Sequence, residues 1–499
     1  MIHIQNRIFK NQPNFWNNCL FHPTDAIEDS WGRRILDRMA KDGSIKTIRV
    51  YTMMEDIVYL DEDGDLQYDF RVSDLRLDYM IEMGFDPFLT YAGMPDCIAQ
   101  TTTNKSSVSK GKTRYKGKLF NTSPPKTYEL WEEVCYQYTK HILERYGLER
   151  VRNWRLQCYN EPDNPQFWMG EIPQPVVAPR VAEYCKLYES FTKGVCRASK
   201  ELTIGGPTLA GINEFLERFL DYVKENALRL DFISVHNYGT FPNFINDGSR
   251  PISVSNQLKI HREYVDIIEK KGFSHLPLVV DEWGMSTHGF FNREECPDLI
   301  CRETEVFSSY FAKLIHQFLY ADFKIDKLMI CLSGQHEMVE DFTGFRNFFT
   351  LNFIAKPIYN AYILASKLKE TILYAKTENE NIFAIPTKDE NGNYSILLSY
   401  SSEYFDDSLP PIDETLAFEE DLIGKRMKIY CIDKTHTNPY RLSQQEGKSE
   451  PNEENIRLWR EEGKLKPVSE SVYDPSAPIT LHLTPNSTFL ITLGEEKEN

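Results

Sequence analysis

The segment PLVVDEW, residues 277–283, is a short apolar run that ends in two acidic residues and a tryptophan. Its apolar residues are consecutive rather than alternating, which is typical of a strand buried on both faces in a parallel sheet. Seven further strands are predicted, several with the same continuous pattern: FWNNCLF (15–21), KTIRVY (46–51), PFLTYAG (87–93), WRLQCYNE (154–161), TIGGPT (203–208), DFISVHNY (231–238) and KLMICLSG (327–334).

Helical patterns, with apolar residues three or four positions apart, alternate with these strands. The predicted helices cover residues 29–41, 73–84, 128–147, 180–199, 213–227, 255–271, 299–321 and 356–368. Eight strand–helix units in this order predict an α/β fold, a (β/α)8 TIM barrel, over residues 14–368. The catalytic groups of such a barrel lie at the carboxyl ends of its strands.

The pattern changes after residue 369, where short alternating runs are separated by Asn, Gly, Asp and Pro. This texture predicts a C-terminal antiparallel β-sandwich domain over residues 369–499, with an inserted amphipathic helix at 451–465. A strand-like segment in residues 1–13 is expected to join that sheet. Residues 96–127 are polar and locally basic, and they follow the third barrel strand. This segment is expected to be either a mobile surface loop or a lid that contacts the substrate.

The composition indicates which partners the protein binds and which cellular compartment it occupies. The formal net charge of the 499 residues is -17, which disfavours a nucleic-acid partner because phosphate binding needs clustered Lys and Arg. No apolar run is long enough for a membrane-spanning helix, and the N-terminus lacks the apolar segment of a signal peptide. The 10 cysteines form no C-x-x-C pair. These features predict a cytoplasmic protein with reduced thiols.

Two glutamates stand at the ends of predicted strands, Glu161 after the fourth and Glu282 after the seventh. A protonated carboxyl can give a proton to a glycosidic oxygen, and an ionised one can attack the anomeric carbon. Their surroundings would have to separate the two pKa values. The alternative for Glu161 is structural: an acid at a helix N-terminus, just before Pro162.

Other polar and aromatic residues at strand ends are candidates for a sugar pocket. Asn160 and His236 can bind sugar hydroxyls, and Tyr238 can orient an ionised nucleophile. Aromatic rings can stack on a sugar face, although large aromatics more commonly lie in the core. The further candidates for substrate contact are Trp168, Phe167, Trp283, His22, Tyr51 and Tyr91.

QHEMVE, residues 335–340, resembles a metal-binding motif. His336 and Glu337 precede Glu340, but Glu340 stands where the H-E-x-x-H motif has its second histidine, and no clear third ligand follows, so no metal is predicted. The sequence contains no G-x-S-x-G elbow, P-loop or dinucleotide fingerprint.

These motifs together resemble the family 39 glycoside hydrolases, the family of β-xylosidases and α-L-iduronidases. The resemblance lies in GMPDCIA, SPPKTYELWEE, HILERYGLERVRNW, YNEPDNPQFW, IGGPTLAG, DFISVHNY, HLPLVVDEWG and, near the C-terminus, IDKTHTNPYR. It implies that Glu161 is the general acid/base and Glu282 the nucleophile. It also implies a barrel with a β-sandwich, retention of anomeric configuration, a carbohydrate substrate and no cofactor. Many relatives are oligomeric, so a homo-oligomer is allowed.

The chain departs from the xylosidase pattern around the sugar subsite. It has FHPTDAIEDS where xylosidases have a Gly-rich segment, and Tyr51 and Thr52 where they have a histidine. Trp283 and Gly284 replace an aromatic followed by Asn, and the eighth strand lacks a tryptophan. We therefore expect a retaining exo-glycosidase with a rebuilt glycone pocket.

Several substrates and classes stay open at this point. β-D-Xylosides are the first expectation, and an α-L-iduronide, arabinoside, β-galactoside or β-glucoside is the alternative. A catalytically inactive carbohydrate-binding barrel and a metal-dependent barrel hydrolase are the alternative classes.

Overall fold

The computed structural model describes residues 1–496 except 12–13, 22–26, 28, 107–118, 240–251, 290, 322 and 334–336. In its first 368 residues the strands are β1 (Ile2–Asn11), β2 (Asn18–Phe21), β3 (Thr47–Met53), β4 (Val58–Leu60), β5 (Leu66–Tyr68), β6 (Asp86–Ala92), β7 (Lys105–Ser106), β8 (Phe120–Asn121), β9 (Arg155–Cys158), β10 (Thr203–Leu209), β11 (Phe232–Tyr238), β12 (Leu278–Gly284) and β13 (Lys327–Leu332).

The helices of the same region are α1 (Ser30–Asp42), α2 (Met54–Ile57), α3 (Arg71–Glu82), α4 (Tyr128–Tyr146), α5 (Leu148–Val151), α6 (Ala178–Ala198), α7 (Asn213–Glu225), α8 (Val254–Lys271), α9 (Glu305–Tyr320) and α10 (Pro357–Ser366), with a 3-10 helix at Pro297–Glu303. Local sequence sets their ends. Asp29 caps α1 by accepting from the Gly32 N–H at 2.8 Å, and Gly43, with φ of +60°, ends it.

Eight parallel strands close into a barrel in the order β2, β3, β6, β9, β10, β11, β12, β13, and β13 pairs back with β2. Each coincides with one of the eight predicted segments, so the predicted barrel is confirmed. An apolar layer of Phe88, Phe232, Val279 and Met329, all near strand starts, fills the amino-terminal end of the interior.

The C-terminal region adds strands β14 (Thr371–Lys376), β15 (Ile382–Lys388), β16 (Tyr394–Tyr400), β17 (Ile412–Phe418), β18 (Arg426–Ile432), β19 (Pro467–Val472), β20 (Ile479–Leu483) and β21 (Ser487–Leu493), with helices α11 (Pro439–Ser443) and α12 (Glu453–Glu462). They form one nine-stranded sheet with β1, ordered β19-β18-β21-β16-β15-β14-β1-β17-β20. Neighbouring strands are antiparallel except β1 and β17, which are parallel.

The sheet has two buried faces, as the alternation along β16 shows. Leu397 belongs to the large core shared with the barrel, whereas Ile396 and Leu398 belong to a second core that unites strands from both halves of the sheet. The sheet therefore packs against the barrel with one face and covers the other face with its own strands. Among the described residues, no helix is both long and apolar enough to cross a bilayer.

Candidate active site

Glu161 and Glu282 meet at the carboxyl end of the barrel. Glu161 follows β9, and Glu282 lies in β12, paired in register with His236 of β11. One carboxylate oxygen of each glutamate and one ring nitrogen of His236 lie within 4.8 Å of one another. The strand-end positions in the sequence predicted this meeting.

Glu282 is held by three donors in a buried setting. Its Oε1 accepts from Arg49 Nη1 at 3.0 Å and from the Tyr51 hydroxyl at 3.1 Å, and its Oε2 accepts from the Tyr238 hydroxyl at 2.7 Å. Burial alone would raise the pKa of Glu282, but the charges of His236 and Arg49 lower it well below its ordinary value. Glu282 is therefore ionised at neutral pH.

Arg49, in the middle of β3, connects the two halves of the site. Its side chain is fully buried, and Nη2 donates to Asn160 Oδ1 at 2.7 Å and to Thr208 Oγ1 at 3.0 Å. Nε lies 3.3 Å from Asp281 Oδ2. Burial opposes its charge, but Asp281, Tyr51 and Glu282 raise the pKa of Arg49 above its usual value. The guanidinium is therefore a fixed positive charge beside Glu282.

A bulge in β12 brings two consecutive acids into the site. Val280 pairs with Val235 and Glu282 pairs with His236, so Asp281 is the extra residue between them. The Oδ2 of Asp281 accepts from Thr208 Oγ1 at 2.8 Å and from Gln157 Nε2 at 3.0 Å. In a regular strand, neighbouring side chains would point to opposite faces, so the bulge is what allows both Asp281 and Glu282 to reach the site.

His236 lies between the carboxylates. Its Nδ1 is 2.8 Å from Glu161 Oε1 and 3.5 Å from Glu282 Oε2, and its Nε2 is 3.1 Å from Thr208 Oγ1. Burial would lower the pKa of His236, but Glu282, Asp281 and Glu161 raise it to about 9. The ring is therefore an imidazolium at neutral pH and donates a hydrogen bond to Glu161.

Glu161 is the more accessible of the two glutamates. Its side chain is 15% exposed, against 7% for Glu282. Its Oε2 accepts from Asn164 Nδ2 at 2.7 Å, and its Oε1 faces His236. A carboxyl that reaches solvent can exchange protons with a substrate and with water, which the enclosed Glu282 cannot do as readily.

The spacing of Glu161, His236 and Glu282 would also suit a small cation. The charges do not, because Arg49 and the imidazolium of His236 already place two positive charges there, and both Glu282 oxygens accept hydrogen bonds. A second cluster, Cys431, Asp433 and His436, lies in the sheet region, where the Asp433 Oδ1 accepts from the N–H groups of Thr435 and His436. His336 of the segment QHEMVE lies outside the described residues.

The structure places the other predicted residues in different settings. Asn160 and Tyr51 belong to the hydrogen-bond network around Arg49 and Glu282, with the Tyr51 hydroxyl 2.7 Å from Asn160 Oδ1. Trp283 is fully buried and stacks against Phe311 of α9, because it follows Glu282 and points to the outer face of the strand. Trp168 is also fully buried. Neither tryptophan offers a face to a sugar, which corrects that expectation.

Two further predicted positions have separate outcomes. His22 lies outside the described residues. Tyr91 is buried with its hydroxyl 2.9 Å from Thr139 of α4, behind the strand rather than at the opening.

A small pocket with four aromatic residues in its wall includes Asn160. It is lined by Tyr51, Met53, Ala92, Gly93, Phe120, Tyr159, Asn160 and Phe167. Phe120 comes from segment 96–127, so the described end of that segment reaches the pocket wall. Phe167, a predicted stacking residue, also lies there.

Five residues of the site were not predicted from the sequence: Arg49, Asp281, Gln157, Thr208 and Arg346. A signal existed for the first three, since each is a polar residue inside an otherwise apolar strand. Arg346 lies beyond β13; its Nη1 donates to the Tyr238 hydroxyl at 2.8 Å and its Nε to Ser333 Oγ at 2.8 Å. Nothing in its local sequence marks it.

Comparisons with known proteins find a family match over most of the chain. Residues 2–476 match the model of the family "Glycosyl hydrolases family 39". The chain is 31% identical to a β-xylosidase of Caldicellulosiruptor saccharolyticus over 232 residues, 45% of this chain and 43% of that protein. It is 24% identical to the α-L-iduronidase of Canis lupus familiaris over 247 residues, 45% of this chain and 34% of that protein. The matches thus span less than half the length of both relatives.

The fold also matches solved structures. The crystal structure of a monomeric β-xylosidase from Caulobacter crescentus CB15 superposes with a TM-score of 0.81 at 18% identity and covers 99% of both chains.

Proposed function

Because the chain belongs to family 39 of the glycosyl hydrolases, we propose that it hydrolyses glycosidic bonds by double displacement with retention. Glu282 is the nucleophile and Glu161 the general acid/base. The observation that carries the proposal is the pair itself: two carboxylate oxygens within 4.8 Å, one enclosed by donors and one partly exposed. Retaining enzymes hold their carboxyls about 5–5.5 Å apart, whereas inverting ones need about 6.5–9.5 Å.

In the first step Glu161 gives its proton to the glycosidic oxygen while a Glu282 oxygen attacks the anomeric carbon. The bond to the leaving group breaks, and an ester joins the sugar to Glu282. In the second step the Glu161 carboxylate takes a proton from water, whose oxygen attacks the same carbon and releases Glu282. Each displacement inverts the centre, so the product keeps the starting configuration.

The donors around Glu282 prepare it for this role. Arg49, Tyr51 and Tyr238 stabilise the carboxylate before attack and again when it leaves in the second step. Their fixed positions mean that little reorganisation accompanies the reaction.

The sugar is proposed from the relatives and the pocket. The first proposed substrates are β-D-xylosides, with xylose released from the ends of glycan fragments. The reason is that the β-xylosidase is more similar to this chain than the α-L-iduronidase is. An α-L-iduronide is the second, because the buried Arg346 guanidinium, hydrogen-bonded to the hydroxyls of Tyr238 and Ser333, adds a positive charge near Glu282 that would attract a sugar carboxylate.

Hydrolysis of a panel of aryl glycosides tests the proposal. The panel contains β-xyloside, α-arabinoside, β-galactoside, β-glucoside and α-iduronide, each assayed with wild type, Glu282→Ala and Glu420→Ala. Glu420 accepts from Tyr394 in the β-sheet and serves as a matched control. We expect one sugar to be cleaved by wild type and the control but not by Glu282→Ala.

Two outcomes would contradict the proposal. Near-wild-type activity of Glu282→Ala would refute the nucleophile assignment. Tight sugar binding by wild type without any turnover would favour a carbohydrate-binding barrel.

A further inference from the structure

The turn that presents Glu161 is strained. Glu161 has φ of +42° and Tyr159 has φ of +64°, left-handed values that residues other than glycine rarely adopt. Thr208, whose carbonyl accepts from the Glu161 N–H at 3.0 Å, has φ of +55°. Strained conformations of this kind persist only where the surrounding structure holds them. A contact near Glu161 must therefore fix the turn.

The side chain of Asp163 makes such a contact. It is fully buried, two residues after Glu161. Its Oδ1 accepts from the Ala210 N–H at 2.8 Å, and its Oδ2 accepts from the N–H groups of Gly211 and Ile212, each at 2.9 Å. These groups lead into α7, whose dipole also favours a negative charge. The carboxylate thus ties the turn after β9 to the turn after β10.

We infer that Asp163 is a positioning residue for Glu161, an inference that rests on the proposed acid/base role of Glu161. The three backbone hydrogen bonds hold the strained turn so that the Glu161 carboxyl stays 2.8 Å from His236 and within 4.8 Å of Glu282. Without the charge of Asp163, the turn relaxes toward ordinary backbone angles. The Glu161 carboxyl then moves away from the leaving-group oxygen.

The test uses Asp163→Asn and the dependence of rate on the leaving group. A misplacement of about 1 Å costs on the order of 100-fold in a positioned catalytic step. We expect kcat/KM for glycosides with poor leaving groups to fall about 100-fold. Dinitrophenyl glycosides need no proton from the enzyme, so their kcat/KM should fall about threefold or less. A role in folding alone would lower all of these rates equally.

A matched control separates positioning from general stability. Asp163 binds N–H groups just after the end of β10, whereas Asp231 accepts from the N–H of Ile204, near the start of β10, at 2.9 Å. Asp231→Asn should not change the dependence on the leaving group. If Asp163→Asn does not fold, Ile212→Pro removes one of the three N–H donors while φ moves from -93° toward about -65°, and it should shift the dependence in the same direction.

A crystal structure of the variant gives a readout that does not need activity. We expect the Glu161 carboxyl to leave its contact with His236 in Asp163→Asn. A uniform rate loss across leaving groups, or an unmoved Glu161, would overturn the inference. If wild type cleaves no glycoside, the proposed function fails, and the position of Glu161 in the variant still decides whether Asp163 holds it.

Discussion

Replacing Tyr238 with phenylalanine removes one hydrogen bond to the nucleophile and keeps the ring. The lost bond, from the hydroxyl to Glu282 Oε2, is 2.7 Å long and charge-assisted. A hydrogen bond to a charged group contributes about 1.5–3 kcal/mol. At 1.36 kcal/mol per pKa unit, its loss raises the pKa of Glu282 by about 1–2 units. The positive charges of Arg49 and Arg346 remain, so the carboxylate stays ionised at neutral pH.

The assay is the pH dependence of kcat/KM for the glycoside that wild type cleaves, because its acid limb reports ionisation of groups in the free enzyme. We expect the acid limb of Tyr238→Phe to move up by about 1–2 pH units. Tyr188→Phe is the control: that hydroxyl donates to the Arg229 carbonyl at 2.8 Å, away from the site. An acid limb that does not move in Tyr238→Phe would refute the reasoning that this hydroxyl lowers the pKa of Glu282.

Three other predictions follow from the buried charges and aromatics. Arg49→Met should lower the free energy of unfolding by about 3–5 kcal/mol in chemical denaturation, because it removes the cation that contacts both buried acids, Asp281 and Glu282; an unchanged value would contradict this. The pKa of His236 is raised to about 9 from 6.5, so the stability that its charge contributes is complete below pH 6.5 and is lost as pH rises through 9. In denaturation measured across that pH range, the free energy of unfolding of wild type should fall by about 3 kcal/mol, and that of His236→Asn should not. Trp283→Ala should lower the free energy of unfolding by about 3–5 kcal/mol and leave KM unchanged, whereas the loss of a side chain that stacks on the sugar would raise KM.

The barrel was predictable from sequence because its strands are covered on both faces. Continuous apolar runs such as PLVVDEW reveal burial, and helical spacing between them fixes the order of units. The cap at Asp29 and the stop at Gly43 are encoded by residues close together in the chain, because capping is a local property. The β-sheet region was predicted as antiparallel from its alternating runs. The parallel contact of β1 with β17 joins residues far apart in the chain, and no local pattern encodes it.

The site was predictable only in part. Glu161 and Glu282 could be named because strand ends converge in any barrel. A continuous apolar strand does not show which residues point inward, so Arg49 in KTIRVY was overlooked. The bulge at Asp281 reverses the expected alternation and appears only through the pairing of β11 with β12. Trp283 was misjudged although the alternation after Glu282 already placed it on the outer face.

The measurement that tests the central claim most directly is covalent trapping of the nucleophile. A 2-deoxy-2-fluoro dinitrophenyl glycoside of the sugar found in the panel forms its ester quickly and releases it slowly. Intact mass followed by peptide mapping then locates the adduct. The double-displacement account predicts one sugar per chain, attached to Glu282. An adduct on another residue, or rapid turnover without any adduct, would contradict it.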